Sequence, residues 1–220
     1  MAVCVLIPAY NAAATLGNVL DETCRQGFPV VVVDDGSCDG TAQVAEAHGV
    51  TLLRHQQNRG KGAALKTGFA WACQQGYEGI VTLDADGQHD PTSIRLLLSS
   101  ALDGRFGILI ASRFTQFDEM AGLRKFWNRF GVWCMRARTG FEISDSQSGF
   151  RYYAASLVSV VPLVKDGYDL EMELLMKAWK HGYTVGSLPI PARVADGRST
   201  SHYRPVRDTW DICMTFLRYM

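Results

Sequence analysis

The feature that most constrains this chain is the alternation, over its first 115 residues, of short apolar runs with helical periodicity. The apolar runs, rich in β-branched residues, fall at residues 3–7, 30–33, 50–53, 80–83 and 108–111. Continuous apolar runs separated by helices are typical of strands buried on both faces of one sheet. The sequence therefore predicts an α/β fold, Rossmann-like, with a mostly parallel sheet and helices on both faces.

The second half of the chain has a different pattern. Residues 119–138 are rich in aromatic and basic side chains, and residues 168–181 and 206–220 have helical periodicity. An extended run at 185–191 precedes a polar loop at 193–204. With no linker in 220 residues, we predict a single domain, 1–220, with halves of about 1–115 and 116–220.

Composition excludes several classes of protein. The 22 basic and 22 acidic side chains cancel, so the chain has no overall attraction for nucleic acid. Six cysteines without a CxxC pair predict reduced, mostly buried thiols and neither a zinc site nor a disulfide framework. No signal peptide and no apolar run of membrane-spanning length is expected, which predicts a cytoplasmic protein.

Polar groups follow three of the predicted strands at the point where each strand ends. They are Pro8-Ala9-Tyr10-Asn11, Asp34-Asp35-Gly36-Ser37 and Asp84-Ala85-Asp86-Gly87-Gln88. Open parallel sheets bind their ligands beyond the carboxyl ends of the strands, so these groups are expected to meet in one site.

The Asp84-x-Asp86-x-Gln88 group is the sharpest of the three. Oxygen ligands suit a hard divalent cation, and a site with few protein ligands leaves coordination positions for substrate phosphates. Such a cation offsets the charge that develops on a departing diphosphate. The alternative is an ordinary turn, because Asp and Gly are common turn residues.

Two further segments each have a functional and a structural interpretation. A carboxylate of Asp34-Asp35 can accept a hydrogen bond from a ring N–H of uracil or guanine, or it can close an Asx turn. The basic loop at residues 58–62 can cradle a diphosphate through its backbone N–H groups and Lys61, or it can be a solvated loop. It matches neither the P-loop nor the complete GxGxxG pattern.

With these motifs in this order, the sequence resembles glycosyltransferase family 2. Within that family it is similar to dolichyl-phosphate mannosyltransferases and bacterial polyprenyl-phosphate glycosyltransferases. The similarity covers about residues 3–207, and its motifs are residues 5–11, 32–37, 58–62, 84–89, 111–114, 145–151 and 171–175.

The resemblance implies a GT-A fold, a nucleotide-diphosphate sugar donor such as a UDP- or GDP-sugar, and inversion at the sugar carbon. It implies that the first half binds the donor and the second half the acceptor. Pro8, Tyr10 and Asp35 would line the nucleoside pocket, and Asp84 would face the donor sugar or ribose, with Ala85 beside it in the same site.

The resemblance also implies a metal and phosphate-binding residues. Asp86 and Gln88 would hold Mg²⁺ or Mn²⁺, which makes Asp86 a catalytic residue. Arg129, also assigned to catalysis, and Arg193 fall near positions that grip phosphates in the family. Late in the chain, His202 stands where a lysine is common, so a positive charge there would depend on pH.

Three more arginines are candidate phosphate ligands: Arg113 after the fifth strand, and Arg204 and Arg207 in and after the late loop. One departure from the family pattern is Ala12, where the mannosyltransferases often carry Glu. It weakens any assignment of GDP-mannose as the donor.

The acceptor is inferred from what the sequence lacks. A hydroxyl acceptor requires a carboxylate as general base, whereas a phosphate acceptor is already anionic. The predicted helix at 168–181 lacks the Glu-Asp pair of sugar-hydroxyl transferases, although Glu171 or Glu173 can still serve, and Glu173 is our candidate catalytic residue. We therefore expect a polyprenyl phosphate of dolichyl or undecaprenyl type, with a glycan or other hydroxyl as the alternative.

Residues 123–133 mix basic and aromatic side chains, as helices do that lie in a membrane interface. We expect peripheral contact with the cytoplasmic face of a membrane, against the alternative of a helix packed on the domain. Two rival functions remain: a nucleotidyltransferase that releases pyrophosphate, and a nucleotide-sugar-binding module without turnover.

Overall fold

The computed structural model describes residues 1–113, 122–191 and 205–220, with only the backbone at 113, 122–130, 205 and 206. Its strands are β1 (Val3–Ala9), β2 (Val30–Asp34), β3 (Thr51–Arg54), β4 (Gly79–Thr82), β5 (Ile108–Arg113), β6 (Arg151–Ala154) and β7 (Val185–Ile190). Its α-helices are α1 (Ala13–Cys24), α2 (Thr41–Ala47), α3 (Lys61–Gln74), α4 (Ile94–Asp103), α5 (Gly122–Thr139), α6 (Ala155–Val160), α7 (Leu170–Lys180) and α8 (Pro205–Tyr219).

The strands form one sheet in the order β3-β2-β1-β4-β6-β5-β7. All neighbouring pairs are parallel except β4 with β6 and β5 with β6, which are antiparallel. The predicted α/β class with a mostly parallel sheet is confirmed. The chain leaves β1 toward β2 and β3 and then crosses back to β4, which creates a topological switch point between β1 and β4.

Helices cover both faces of the sheet because the central strands are apolar on both sides. In β1, Cys4 and Leu6 pack in the layer that contains α3, α6 and α7, whereas Val5 and Ile7 pack against α1 and α4. Successive side chains of a strand point to opposite faces, so one apolar run supplies both layers. This explains why the runs are continuous rather than alternating.

Local signals placed most elements correctly. The predicted apolar face of α1, Leu16, Val19, Leu20 and Thr23, is the set of residues that this helix buries. Asp90 caps the 3₁₀ turn at Pro91–Ser93 by accepting the N–H of Thr92, as its position before Pro91 predicted. The sequence did not predict β6, the antiparallel strand. The predicted polar loop at 193–204 lies wholly outside the described residues.

The cysteine prediction needs correction. All six thiols are free, but only Cys4 is buried, and burial raises its pKa to about 12. Cys24 and Cys38 are exposed and the other three are intermediate, because Cys38 lies in a loop and the other four lie in helices rather than in the buried strands. Within the described part of the chain, no helix combines the length and the apolarity that crossing a bilayer requires.

Candidate functional site

A cleft of about 720 Å³ opens at the carboxyl ends of β1, β2 and β4, at the switch point of the sheet. It brings together seven residues that the sequence assigned to a site: Pro8, Tyr10, Asp35, Lys61, Asp84, Ala85 and Asp86. The first turns of α8 and the turn before α7 form its opposite wall. Parallel strands end at the same edge, so motifs distant in sequence converge there.

The two aspartates at the end of β2 have separate roles. Asp34 is fully buried, accepts the N–H of Ser37 at 2.9 Å and lies 3.1 Å from Arg54 Nε, so it closes the turn. Asp35 lines the cleft and is also almost fully buried. The Asx-turn interpretation therefore holds for Asp34, whereas Asp35 is the carboxylate placed for a ligand.

Asp35 organises the basic loop behind it. Its carboxylate accepts the backbone N–H groups of Arg59 at 3.0 Å and Gly60 at 2.8 Å, and His55 Nδ1 lies 2.6 Å from Oδ1. Since a carboxylate offers about four acceptor sites, one remains for a ligand on Oδ2. The expectation that this loop cradles a diphosphate with its backbone is wrong for Arg59 and Gly60, because Asp35 already accepts their N–H groups.

Gly60 allows this loop to dock on the turn before α7. Its φ is +101°, and a Cβ there would lie 2.4 Å from the carbonyl oxygen of Asp166. The same carbonyl accepts the N–H of Ala63 at 3.1 Å and so occupies the amino end of α3. The loop is thereby held between Asp35 and Asp166, and it lines the cleft with Asn58, Gly60 and the Lys61 side chain.

Lys61 belongs to a buried network of two cations and two carboxylates. Its Nζ lies 2.7 Å from Asp84 Oδ1 and 3.3 Å from Glu171 Oε1, and the other oxygen of Glu171 lies 3.6 Å from Arg151 Nη2. Burial alone would lower the pKa of Lys61, but Asp84 and Glu171 raise it above its ordinary value. Lys61 therefore stays charged, and the four formal charges of the network cancel.

Arg151 is the most deeply buried member of this charged network, which is made of Lys61, Asp84, Arg151 and Glu171. It is wholly inaccessible, and it donates from Nε to the carbonyl of Ser148 at 2.6 Å and from Nη2 to that of Ser146 at 2.8 Å. Gly149, in the same turn, lies against Asp84, where a Cβ would approach Oδ2 to 2.2 Å. The turn that leads into β6 thus forms the back of the cleft.

The chemistry of the donor set fits a divalent cation that shares its coordination with a ligand. Among the residues that the structure describes, more carboxylates than cations line the cleft: Asp35, Asp84, Asp86, Asp169, Asp208 and Asp211 against Lys61 and Arg207. An anionic diphosphate requires added positive charge to enter such a cleft. Among the described residues no group of three or more His, Cys, Asp or Glu could hold a metal by itself, so phosphate oxygens would have to complete the shell.

Asp86 is the side chain that the sequence assigned to such a cation. It lines the cleft, and its Oδ1 accepts the N–H of Gln88 at 3.0 Å, which fixes the turn after β4. Asp84, by contrast, is engaged by Lys61, and Gln88 is not among the residues that line the cleft. Asp86 is thus the carboxylate on which the predicted metal site chiefly depends.

Glu173, expected as a catalytic residue, is placed elsewhere. It is fully buried and accepts hydrogen bonds from the N–H of Lys165 at 2.9 Å, Lys177 Nζ at 2.7 Å and the Tyr219 hydroxyl at 2.7 Å. Burial raises its pKa, but these donors together lower it below its ordinary value. Glu173 joins α7 to α8 and to the preceding loop, and it does not line the cleft.

Five other predicted residues lie outside what the structure describes, in whole or in their side chains. Arg193, His202 and Arg204 lie outside the described residues, and so do the side chains of Arg113 and Arg129. Arg207, in contrast, lines the cleft at the start of α8, and its Nε lies 4.0 Å from Asp211. The sequence missed Tyr168, Asp208, Asp211 and His55, for which the only local signal was a polar position on a helix or turn.

Comparisons with known proteins agree with this architecture. A family model described as glycosyl transferase family 2 matches residues 4–158. The uncharacterized protein MJ1222 of Methanocaldococcus jannaschii is 35% identical over 192 residues, which cover 84% of this chain and 79% of that protein.

Two characterised relatives carry names that state an acceptor. The polyprenol monophosphomannose synthase of Mycolicibacterium smegmatis is 30% identical over 84% of this chain and 75% of its own length. The UDP-N-acetylglucosamine–dolichyl-phosphate N-acetylglucosaminyltransferase of Methanococcus voltae is 28% identical over 84% of this chain and 83% of its own length.

Among solved structures, glucosyl-3-phosphoglycerate synthase from Mycobacterium tuberculosis, in complex with Mn²⁺, UDP-glucose and phosphoglyceric acid, superposes with a TM-score of 0.76. It is 20% identical, and the alignment covers 99% of this chain and 79% of that one. At this identity the likeness shows a shared fold, which is the GT-A fold.

Proposed function

The chain belongs to glycosyl transferase family 2, and from that premise we propose that it moves a sugar from a nucleotide-diphosphate donor to a polyprenyl phosphate, with inversion. The observation that carries the proposal is the convergence of Asp35, Lys61, Asp84 and Asp86 in one cleft at the switch point of the sheet. Such a position is where open α/β sheets bind nucleotides.

The donor would lie along the wall formed by the ends of β1, β2 and β4. Pro8 and Tyr10 would flank the nucleoside, and the remaining acceptor site on Asp35 would receive a ring N–H of uracil or guanine. Asp84, with Ala85 beside it, would face the ribose or the sugar. The solved structure that binds UDP-glucose with Mn²⁺ has the same fold, which supports a donor of this class.

Asp86, with Gln88, would hold Mg²⁺ or Mn²⁺ against the diphosphate. A cation bound there supplies positive charge that offsets the charge developing on the leaving diphosphate. Lys61 stays paired with Asp84 and positions that carboxylate near the cation, while Arg113, Arg129, Arg193 and His202 remain candidate phosphate ligands. An acceptor oxygen then attacks the sugar carbon on the face opposite the diphosphate, which leaves with the electrons of the broken bond.

The surroundings of Glu171 favour a phosphate acceptor over a hydroxyl. Glu171 is a carboxylate of α7 whose two oxygens face Lys61, which lines the cleft, and Arg151. It would have to break an ion pair before it accepted a proton from a hydroxyl, so it is poorly placed as a general base. A phosphate acceptor is already anionic and requires none. The relatives named for polyprenol and dolichyl phosphate support the same choice.

The proposal is tested by incubating the protein with radiolabelled UDP- and GDP-sugars, Mn²⁺ and two classes of acceptor, undecaprenyl phosphate and free monosaccharides. We expect label in the lipid-phosphate product and release of nucleoside diphosphate. Transfer only to sugar hydroxyls would establish the alternative acceptor. Release of pyrophosphate would identify a nucleotidyltransferase, and nucleotide binding without any transfer would identify a binding module.

His55 is expected to position the nucleoside pocket without touching the reacting atoms. Its Nδ1 holds Asp35 and its Nε2 lies 2.9 Å from the Thr67 hydroxyl, so His55→Ala frees the carboxylate that anchors the loop. Hydrogen bonds to charged groups contribute about 1.5–3 kcal/mol, so nucleotide Kd should rise roughly tenfold or more, with little change in kcat at saturating donor. Isothermal titration with UDP or GDP and Mn²⁺ measures the change.

Two variants control the His55 experiment. His55→Asn keeps a donor group and should recover part of the affinity. His48→Ala removes a histidine that contacts the Val44 carbonyl and Asp21 and is not among the described residues that line the cleft, so this variant should bind nucleotide normally. Equal affinities for His55→Ala and His48→Ala would show that His55 does not position the pocket.

A further inference from the structure

Helix α8 has two faces with different surroundings. Thr215 is fully buried and donates to Asp169 at 3.0 Å, and Ile212, Phe216 and Tyr219 pack against the core. Trp210, Met214 and Leu217 follow the i, i+4, i+7 spacing of a second face, and they are 66%, 45% and 58% exposed. We call these three residues the α8 stripe.

Helix α5 extends the exposed apolar surface and adds charge. It packs beside α8, Arg138 donates to the Met220 carbonyl at 2.7 Å, and Trp133 is 65% exposed. The sequence of α5 contains five basic residues, Arg124, Lys125, Arg129, Arg136 and Arg138, and no acidic residue. Large apolar side chains beside a purely cationic helix are complementary to a bilayer with anionic lipids.

The same helix also forms the rim of the cleft. Arg207, Asp208 and Asp211 line the cleft from the first two turns of α8, and the α8 stripe begins beside them at Trp210. At 1.5 Å of rise per residue, Arg207 and Met214 are separated by about 10 Å along the helix. One helix could therefore contact both a lipid headgroup in the cleft and the bilayer that holds the apolar tail of the same lipid.

From this arrangement we infer that α8 is a membrane-docking helix, whose stripe of Trp210, Met214 and Leu217 inserts into the surface of an anionic bilayer beside the cleft. The inference rests on the proposed function for its purpose, which is access to a lipid-phosphate acceptor. The membrane contact itself does not require that function, because it depends only on exposed apolar side chains and basic residues near them. Tryptophan at the membrane interface and basic groups near lipid phosphates are the chemistry that this surface offers.

The test replaces the stripe with Trp210→Ser, Met214→Ser and Leu217→Ser together and measures co-sedimentation with phosphatidylglycerol–phosphatidylcholine vesicles. These side chains are exposed and none contacts the proposed donor site, so the variant should fold. We expect at least a tenfold loss of vesicle binding. The matched control, Leu96→Ser with Leu102→Ser, removes exposed apolar side chains from α4, and it should bind vesicles as the unchanged protein does.

A second measurement separates docking from catalysis. With undecaprenyl phosphate embedded in vesicles, the stripe variant should transfer sugar at least tenfold more slowly, whereas transfer to a short, water-dispersed prenyl phosphate should be unchanged. If neither protein transfers sugar, the proposed function fails, while the vesicle-binding result still decides the inference.

Two outcomes would overturn the inference. One is undiminished vesicle binding by the stripe variant. The other is a dimer of the unchanged protein, seen by light scattering, that the stripe variant converts to monomers without any vesicle binding by either protein. The second outcome would assign the stripe to a contact between two copies of the chain.

Discussion

Replacing Asp86 by alanine is expected to abolish sugar transfer while the protein remains folded. Asp86 lines the cleft, and we propose that its carboxylate holds a divalent cation against the donor diphosphate. A metal that stabilises a departing diphosphate contributes several kcal/mol, and each 1.36 kcal/mol corresponds to tenfold in rate. We therefore expect a loss of roughly a thousandfold or more in kcat/KM, measured with labelled donor under saturating Mn²⁺.

A binding measurement separates this role from a loss of structure. Mn²⁺-dependent nucleotide binding, followed by calorimetry, should be lost in Asp86→Ala, and the melting temperature should change little because the side chain is only partly buried. Asp86→Asn keeps an acceptor for the Gln88 N–H but removes the charge, so it should be almost as inactive. Asp103→Ala, an exposed aspartate that ends α4, serves as the control. Activity of Asp86→Ala near the unchanged rate would remove the metal assignment.

Replacing Arg151 by methionine should produce the largest loss of stability. Arg151 is inaccessible to solvent, and its removal leaves Glu171 with one cationic partner and leaves the carbonyls of Ser146 and Ser148 without their donor. Removing one partner from a buried ion pair costs about 3–5 kcal/mol. At about 2–4 °C per kcal/mol for a chain of this size, the melting temperature should fall by roughly 10 °C.

A double variant makes the Arg151 prediction sharper. Arg151→Met combined with Glu171→Leu removes both charges, and Lys61 keeps its partner Asp84 at 2.7 Å. The double variant should therefore be less destabilised than the sum of the single variants, which thermal denaturation of all four proteins would measure. Arg136→Met removes an exposed arginine that lies 3.5 Å from an exposed glutamate, and such surface pairs contribute about 0–1 kcal/mol. Equal melting temperatures for Arg151→Met and Arg136→Met would contradict the role of the charged network.

These two variants test one wall of the cleft and the charged network behind it. Asp86 belongs to the wall that we propose binds the donor, where its negative charge would act on a bound cation. Arg151 lies behind the cleft, where its charge is neutralised within the protein and serves to hold Glu171 in place. If both predictions hold, one wall of the cleft carries a carboxylate that binds a cation. Behind it, the charged network holds its side chains in fixed positions and its formal charges cancel. Such a pre-organised surrounding is the kind that electrostatic catalysis uses.

The sequence by itself determined the class of fold and the position of the cleft. Apolar periodicity is a local property of each strand and helix, and it predicts which of their faces will be buried. The carboxyl ends of parallel strands lie at one edge, so motifs at the ends of β1, β2 and β4 were sufficient to predict that Asp35, Asp84 and Asp86 would meet. The same reasoning could not find β6, because its four residues, Arg-Tyr-Tyr-Ala, are too few and too polar to form an apolar run like those of the other strands.

Only the tertiary structure decided which of two neighbouring carboxylates does what. Adjacent residues at the end of a strand point to opposite sides, so Asp34 closes a turn while Asp35 reaches the cleft. Residues two apart on a helix point about 200° apart, so Glu171 faces Lys61 and Arg151 whereas Glu173 faces Lys177 and Tyr219. Spacing in a sequence gives these directions only relative to one another. Which residues each side chain contacts is fixed by the packing of segments that are far apart in the chain.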